Sequence, residues 1–204
     1  MTQKSLRHVI AITSQSAFLE IGQLPSILRV IAAIREYEPR ANLIITGSAE
    51  HLALIPKSVQ AELRACNTND PHSLVAALSD LIEENQVIAI YDASRPHTNV
   101  DVIGKTFQAL AQDVDAVRPA IAFTETLKFV DENFIIQETL DRTSVKRVAS
   151  PEIIRSKAID PSAKDSGWFL PLKANVVISY VEGSADGVRI SSAEDVLLLE
   201  SVSE

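Results

Sequence analysis

Cysteine is nearly absent: Cys66 is the single one in 204 residues. No disulfide can form within the chain, and the usage fits a reducing compartment. Glycine is also scarce, with six scattered residues, too far apart to build a Gly-rich phosphate loop. Positive charge is in deficit, with 19 Lys and Arg against 27 Asp and Glu, a net charge of −8. An acidic surface repels phosphate backbones, which argues against a nucleic-acid partner. No long apolar run occurs. Val9 to Ile12 is followed at once by polar residues, so we expect no signal peptide, no membrane span and a cytoplasmic protein. The four histidines, His8, His51, His72 and His97, share no metal-ligand spacing, and a zinc site is not expected.

What the chain does have is alternation. Val9–Ile12, Leu43–Ile45 (closed by Gly47) and Val87–Tyr91 read as buried strands. Between and after them, apolar residues recur at helical spacing. Ile27, Val30, Ile31 and Ile34 follow Ser26; Leu74, Ala77, Leu78 and Leu81 fall within Ser73–Glu84; Val100, Ile103, Phe107 and Leu110 follow a cap at Asn99 and run to Ala111. A short helix is expected around Gln60–Arg64. This pattern predicts an α/β fold with a mostly parallel sheet covered by helices on both faces. After Pro119 the pattern changes. Leu127–Val130 and Phe134–Gln137 around Asp131-Glu132-Asn133 predict a β-hairpin. Ser150-Pro151-Glu152 reads as a helix start, Val176–Val181 as a strand, and Ser192 with Asp195 as the capping box of a last helix.

Ligands of open α/β sheets bind beyond the carboxyl ends of the strands. That rule directs attention to Thr13-Ser14-Gln15-Ser16 and to Asp92-Ala93-Ser94-Arg95-Pro96. Asp92 suits a divalent metal or a ligand hydroxyl, and Arg95 suits a phosphate. An Asp–Arg pair that only tightens the turn explains the stretch equally well. Thr126, Lys128, Asp141 and Arg142 flank the hairpin, where a solvated face is the simpler account. Arg189 precedes the last helix, close enough to serve a phosphate there or to pair with Glu194 or Asp195.

Taken together and in order, these residues resemble the 2-C-methyl-D-erythritol 4-phosphate cytidylyltransferase family and its relative, ribitol-5-phosphate cytidylyltransferase. Asp92-Ala93-Ser94-Arg95-Pro96 resembles the family's D-A-x-R-P, and Glu125-Thr126-Leu127-Lys128 its D-T-x-K. Asp141-Arg142 resembles D-R, Ser150-Pro151-Glu152 resembles T-P-Q, and Val188-Arg189-Ile190-Ser191 with Glu194-Asp195 resembles I-K-V-T followed by E-D. Phe18-Leu19-Glu20-Ile21-Gly22 is similar to Y-L-x-I-G.

The resemblance implies a Rossmann-like fold spanning residues 1–204, with an arm at about 124–145 that is exchanged across a homodimer. It implies CMP transfer from CTP to a sugar-alcohol phosphate in isoprenoid precursor synthesis, assisted by Mg2+. Carried onto this chain, it implies Asp92 and Arg189 as catalytic residues, with Asp92 also meeting the metal and the nucleotide. Arg95, Thr126, Arg142 and Ser150 would bind the sugar phosphate, Thr126 and Arg142 serving the partner's site, and Ser73 the nucleotide. The family's Gly-rich triphosphate loop, its Arg and its P-K-Q have no counterpart, since Ile10 to Ile21 contains no Gly, Lys or Arg. Its late acidic motif is replaced by Lys164-Asp165-Ser166-Gly167. These losses imply weak CTP binding and impaired or absent transfer. The alternative is a non-catalytic homodimer that binds a sugar phosphate or a protein partner.

Overall fold

Val9 and Ile10 are neighbours in sequence but belong to different cores. In a strand, successive side chains leave on opposite faces, and here both faces are buried. Ile10, Ile45, Ala89, Tyr91 and Ile153 join one cluster with Ile27, Val30, Ile34 and Ile103. Val9, Ile44, Ile88, Ile90 and Ile154 join the other with Leu74, Leu78, Leu81, Trp168 and Leu170. The result is a sheet between two helical layers, as the sequence predicts.

The computed structural model describes residues 6–83, 86–163 and 167–201. The first half runs β1 (Leu6–Ala11), β2 (Glu20–Ile21), β3 (Leu24–Pro25), α1 (Ser26–Tyr37), β4 (Leu43–Gly47), α2 (Ala49–Ala53), β5 (Glu62–Ala65), α3 (Pro71–Ala77), α4 (Ser79–Glu83), β6 (Val87–Asp92) and α5 (Val100–Gln108). The second runs β7 (Ala116–Ala122), β8 (Leu127–Val130), β9 (Ile136–Leu140), β10 (Lys146–Val148), β11 (Glu152–Arg155), β12 (Ile178–Glu182) and α6 (Ala193–Ser201). Strands β5, β4, β1 and β6 are parallel neighbours. β11 lies antiparallel between β6 and β7, and β12 is parallel to β7 on its other edge. β10 and β11 share one edge of β7, with β10 pairing Ala120–Ala122 and β11 pairing Ala116–Val117. Pro119, which has no N–H to donate, sits at the changeover.

Several expectations need correction. Gln60–Arg64 is not a helix. Glu62–Ala65 is strand β5, which among the described residues pairs with β4 alone, and an edge strand with exposed Glu62 and Leu63 lacks the alternation that announces a buried one. Ser150-Pro151-Glu152 does not start a helix: the Ser150–Pro151 bond is cis, and Glu152 begins β11. Ser and Pro suit a helix start locally, but Ile153 and Ile154 are fully buried between β6 and β7. The helix expected over Ser73–Glu84 breaks at Leu78 into α3 and α4, and its last residue, Glu84, lies outside the described residues. The α5 helix ends at Gln108 rather than Ala111. The hairpin's second strand begins at Ile136, because Phe134 takes a positive φ of 61° and belongs to the turn. β12 starts at Ile178, two residues later than expected.

Two caps hold as expected. The Asn99 side chain accepts from the Asp101 and Val102 N–H groups. Ser192 and Asp195 bond reciprocally, 3.1 and 3.3 Å.

Candidate functional site at the carboxyl ends of β1 and β6

β6 is buried along its whole length and delivers Asp92 to its carboxyl end. The antiparallel run of β11 brings Ser150 to that same end. The Asp92 N–H donates to Ser150 Oγ at 3.1 Å, and the Ser94 N–H donates to Asp92 Oδ1 at 2.9 Å. Asp92 Oδ2 faces two guanidinium groups: Arg189 Nε at 2.9 Å and Arg95 Nε at 3.6 Å. Arg189 Nη2 also donates to Thr13 Oγ1 at 2.6 Å, across 176 positions. Arg95 donates to the Gly187 carbonyl at 2.7 Å and the Val148 carbonyl at 3.1 Å, so it joins three segments. Burial pulls the Arg95 pKa down, the Asp92 charge pushes it back up, and Arg189 lowers it again.

The stretch after β1 is folded onto itself. Gln15–Phe18 is one 3-10 turn. The Ala17 N–H donates to Ser14 O and the Leu19 N–H to Ser16 O, so these donors are spent inside the turn. Ser16 is buried, its hydroxyl 2.9 Å from Ser94 Oγ and 2.6 Å from Ser14 Oγ. The Ser26 hydroxyl donates to Ala93 O at 2.7 Å, and the Ile190 N–H to Ser94 O. The loop, the Asp92 turn and the Arg189 segment are therefore tied together by short polar contacts.

Beside this cluster lies a second, which sequence reasoning did not single out. Glu152 is buried and accepts the Phe169 N–H at 2.8 Å. Arg118 Nη1 is 3.5 Å from Glu152 Oε1, its guanidinium lies 3.6 Å above the Trp168 ring, and Nη2 donates to Gly167 O at 3.0 Å. Burial pushes the Glu152 carboxyl up to about 7, against the opposing pull of Arg118 and the Phe169 N–H. The available signals were an Arg inside the apolar run Ala116–Ala120 and a Glu where the family motif has Gln.

Thr13, Thr68, Asn69, Glu152 and Trp168 line a cleft of about 260 Å³. It shares Thr13, Thr68 and Asn69 with a cleft of about 430 Å³ that reaches His51 and Cys66. Burial raises the Cys66 thiol pKa, which keeps it protonated and unreactive.

Four of the expected site residues therefore converge: Asp92, Arg95, Ser150 and Arg189. Ser73 lies apart, in the first turn of α3. Its hydroxyl accepts from the Asn67 N–H at 3.1 Å and its N–H donates to Asp70 Oδ2 at 3.1 Å. Thr126 and Arg142 are exposed at the base of the hairpin, and Arg142 donates to the Thr124 carbonyl. The chain's own fold does not bring either to Asp92. The Lys164-Asp165-Ser166 stretch lies outside the described residues.

The residues here build no all-protein cage for Mg2+, an ion usually held by one or two carboxylates together with substrate phosphates and water. No three His, Cys, Asp or Glu side chains gather for a metal among the described residues. The one carboxylate at this site's centre, Asp92, already faces two guanidinium groups, whereas Mg2+ demands an octahedron of oxygens.

A mostly parallel sheet between helical layers, with a polar cluster beyond its strand ends, defines a Rossmann-like α/β protein. The family model of 2-C-methyl-D-erythritol 4-phosphate cytidylyltransferase (IspD) matches residues 9–203, and the chain belongs to that family. The 2-C-methyl-D-erythritol 4-phosphate cytidylyltransferase of Bacillus velezensis is 23% identical over 205 residues, covering 91% of this chain and 86% of its own. The bifunctional IspD/IspF enzyme of Oleidesulfovibrio alaskensis is 26% identical over 139 residues, which is 63% of this chain and only 35% of that longer protein. Among solved structures, the 4-diphosphocytidyl-2C-methyl-D-erythritol synthase of Anaerococcus prevotii superposes with a TM-score of 0.77 at 16% identity, covering 98% of this chain and 96% of that one. At that identity the likeness is one of fold. No helix of the described residues is long and apolar enough to cross a membrane.

Proposed function

We propose that this chain is a sugar-alcohol-phosphate-binding member of the cytidylyltransferase family, cytoplasmic and homodimeric, with CMP transfer impaired. The reaction it would inherit has a phosphate oxygen of methylerythritol 4-phosphate attack the α-phosphorus of CTP. The new P–O bond forms as the bond to the β-phosphate breaks, and pyrophosphate leaves. Such catalysis is positioning plus stabilisation of charge on the phosphoryl oxygens. Arg95, Arg189 and Ser150 suit the acceptor's phosphate and hydroxyls. Thr126 and Arg142 would join them from the partner's arm.

The observation that carries the reading is the closed turn after β1. Its Ala17 and Leu19 N–H groups are internally bonded, and Ile10 to Ile21 supplies no cation. Asp92, moreover, is already neutralised by Arg189 and Arg95. Losing one preorganised donor typically reduces the rate by about 10²–10³. Several are lost here, so a deficit on the order of 10⁴ or more is expected.

The test is single-turnover CMP transfer with excess protein and magnesium, using methylerythritol 4-phosphate and ribitol 5-phosphate in turn. Binding of either sugar phosphate by calorimetry without transfer supports the reading. Transfer at an ordinary enzymatic rate replaces it with an active transferase, a reading favoured by the retained Asp92–Arg95–Arg189 cluster.

A further inference from the structure

A different group of arginines gathers at the amino ends of β1, β4 and β5, opposite to Asp92. There a cavity of about 580 Å³, larger than either cleft near Asp92, is lined by Arg7, Arg35, Arg40 and Arg64 together with Asn42 and Gln60. A volume of this order suits a small organic ligand. Among the described residues the lining holds two carboxylates, Glu62 and Asp80, and both are bound to Arg64 at 2.6 to 2.9 Å. Four arginines against two carboxylates leave the cavity cationic in a chain of net charge −8.

The arginines divide into two kinds. Arg35 and Arg64 are wall builders. Arg35 donates to the Ala41, Pro39 and Gln60 carbonyls at 2.7, 3.2 and 3.1 Å, and Arg64 to Asp80 and the Ala77 carbonyl. Together they fix the loops on either side. Arg7 uses only Nε, on Gln86 Oε1 at 2.9 Å. Its two amino groups, and the whole guanidinium of exposed Arg40, have no hydrogen-bond or ionic partner among the described residues. Unused guanidinium forks on one preformed cationic wall match an oxyanion. A carboxylate offers two oxygens in one plane, whereas a phosphoryl group offers three arranged around phosphorus and carries more charge, so it suits forks that approach from different directions better.

We propose that this cavity binds the phosphoryl group of a small phosphorylated molecule, or free phosphate, at a site separate from the one around Asp92. Titration calorimetry on the full chain carrying Arg189→Ala tests it. That background weakens anion binding at the Asp92 end and leaves this cavity intact, so the two readings fail separately. The probes are inorganic phosphate, glycerol 3-phosphate and acetate.

A phosphate probe should bind one to one. Adding Arg40→Ala and Arg7→Gln should weaken it about tenfold or more. A control of equal charge change at exposed sites elsewhere, Lys57→Ala with Lys105→Ala, should leave the affinity within about twofold, as unpaired surface charges do. Arg40→Ala alone removes no internal bond, so it keeps the fold and must show part of the loss. Tighter binding of glycerol 3-phosphate assigns the cavity to a phosphorylated metabolite, and tighter binding of phosphate to the free ion. Failure of both to bind, an equal loss in the control, or acetate binding as tightly as either overturns the proposal.

Discussion

Glu152 is a buried carboxyl whose ionisation the fold opposes. Its carboxyl is raised from 4.5 to about 7 in the folded chain. A raised carboxyl holds its proton in the folded state while the unfolded chain has already released it. The stability it contributes is therefore complete below about pH 4.5 and is lost as pH rises through about 7. Between those limits the loss is on the order of 3 kcal/mol. Glu152→Gln should flatten the fall in melting temperature between pH 5 and 8 relative to the parent, and parallel curves for the two would refute this account. Arg189 answers to a different measurement. Its bond to Asp92 makes it the built-in counter-ion of the site, so magnesium alone should leave the parent's melting temperature unchanged. Phosphate or sulfate should raise it by mass action, and Arg189→Ala should reduce that response. An undiminished response in the variant would show that Arg189 is only a surface charge. Asp92, Arg95, Ser150 and Arg189 were legible because each stands in a short motif and the motifs come in order. Glu152, Arg118 and Trp168 were not, because each belongs to a different segment and only tertiary pairing makes them one cluster.

Among the elements, legibility followed burial. β1 from Val9 onward, β4 over Leu43–Ile45 and β6 over Val87–Tyr91 are apolar runs with buried neighbours on both sides, and α1 and α5 carry their apolar stripe at helical spacing toward them. Among the described residues β5 pairs on one side only, and its polar sequence hides it. β11 is short, and the Ser150-Pro151 pair just before it mimics a helix start; pairing with both β6 and β7 overrides that local signal. α6 shows the reverse, since its capping box reads the same in the sequence and in the structure. Asp195 accepts from the Ser191 and Ser192 N–H groups and from the Ser191 hydroxyl, and Ser191 lies two residues from Arg189. The cap therefore fixes both the helix and the segment that presents the guanidinium. Ser192→Ala should lower stability by about 1 kcal/mol and should also weaken the phosphate-induced rise in melting temperature. A loss of stability with the phosphate response intact would separate the cap from the site.

For the molecule as a whole, the hairpin of β8 and β9 is a two-stranded sheet of its own. Phe134 is 87% exposed, and Phe129, Ile135 and Ile136 are each near 58%. A lone hairpin is marginal in water, and an apolar strip of this kind calls for a covering surface. In the homodimer proposed above, a two-fold copy would cover it and would bring Thr126 and Arg142 toward the partner's site. Sedimentation should give a dimer at micromolar concentration, and Phe134→Asp with Ile136→Glu should shift it toward monomer. A parent that sediments as a monomer ends the proposed exchange of the arm. The bond between Thr13 and Arg189 joins positions 176 apart, and it carries a consequence for the order of events during folding. Closing so long a loop is entropically the most demanding contact of the site. On a ribosome the Asp92 strand is complete long before Arg189 has been made. The site's counter-ion thus arrives last, and until it does a buried carboxylate waits with only Arg95 beside it. Pairing of Asp92 with Arg189 is accordingly a late checkpoint of maturation, at which a chain truncated between β12 and Arg189 would stall with its sheet strands made and its site still open.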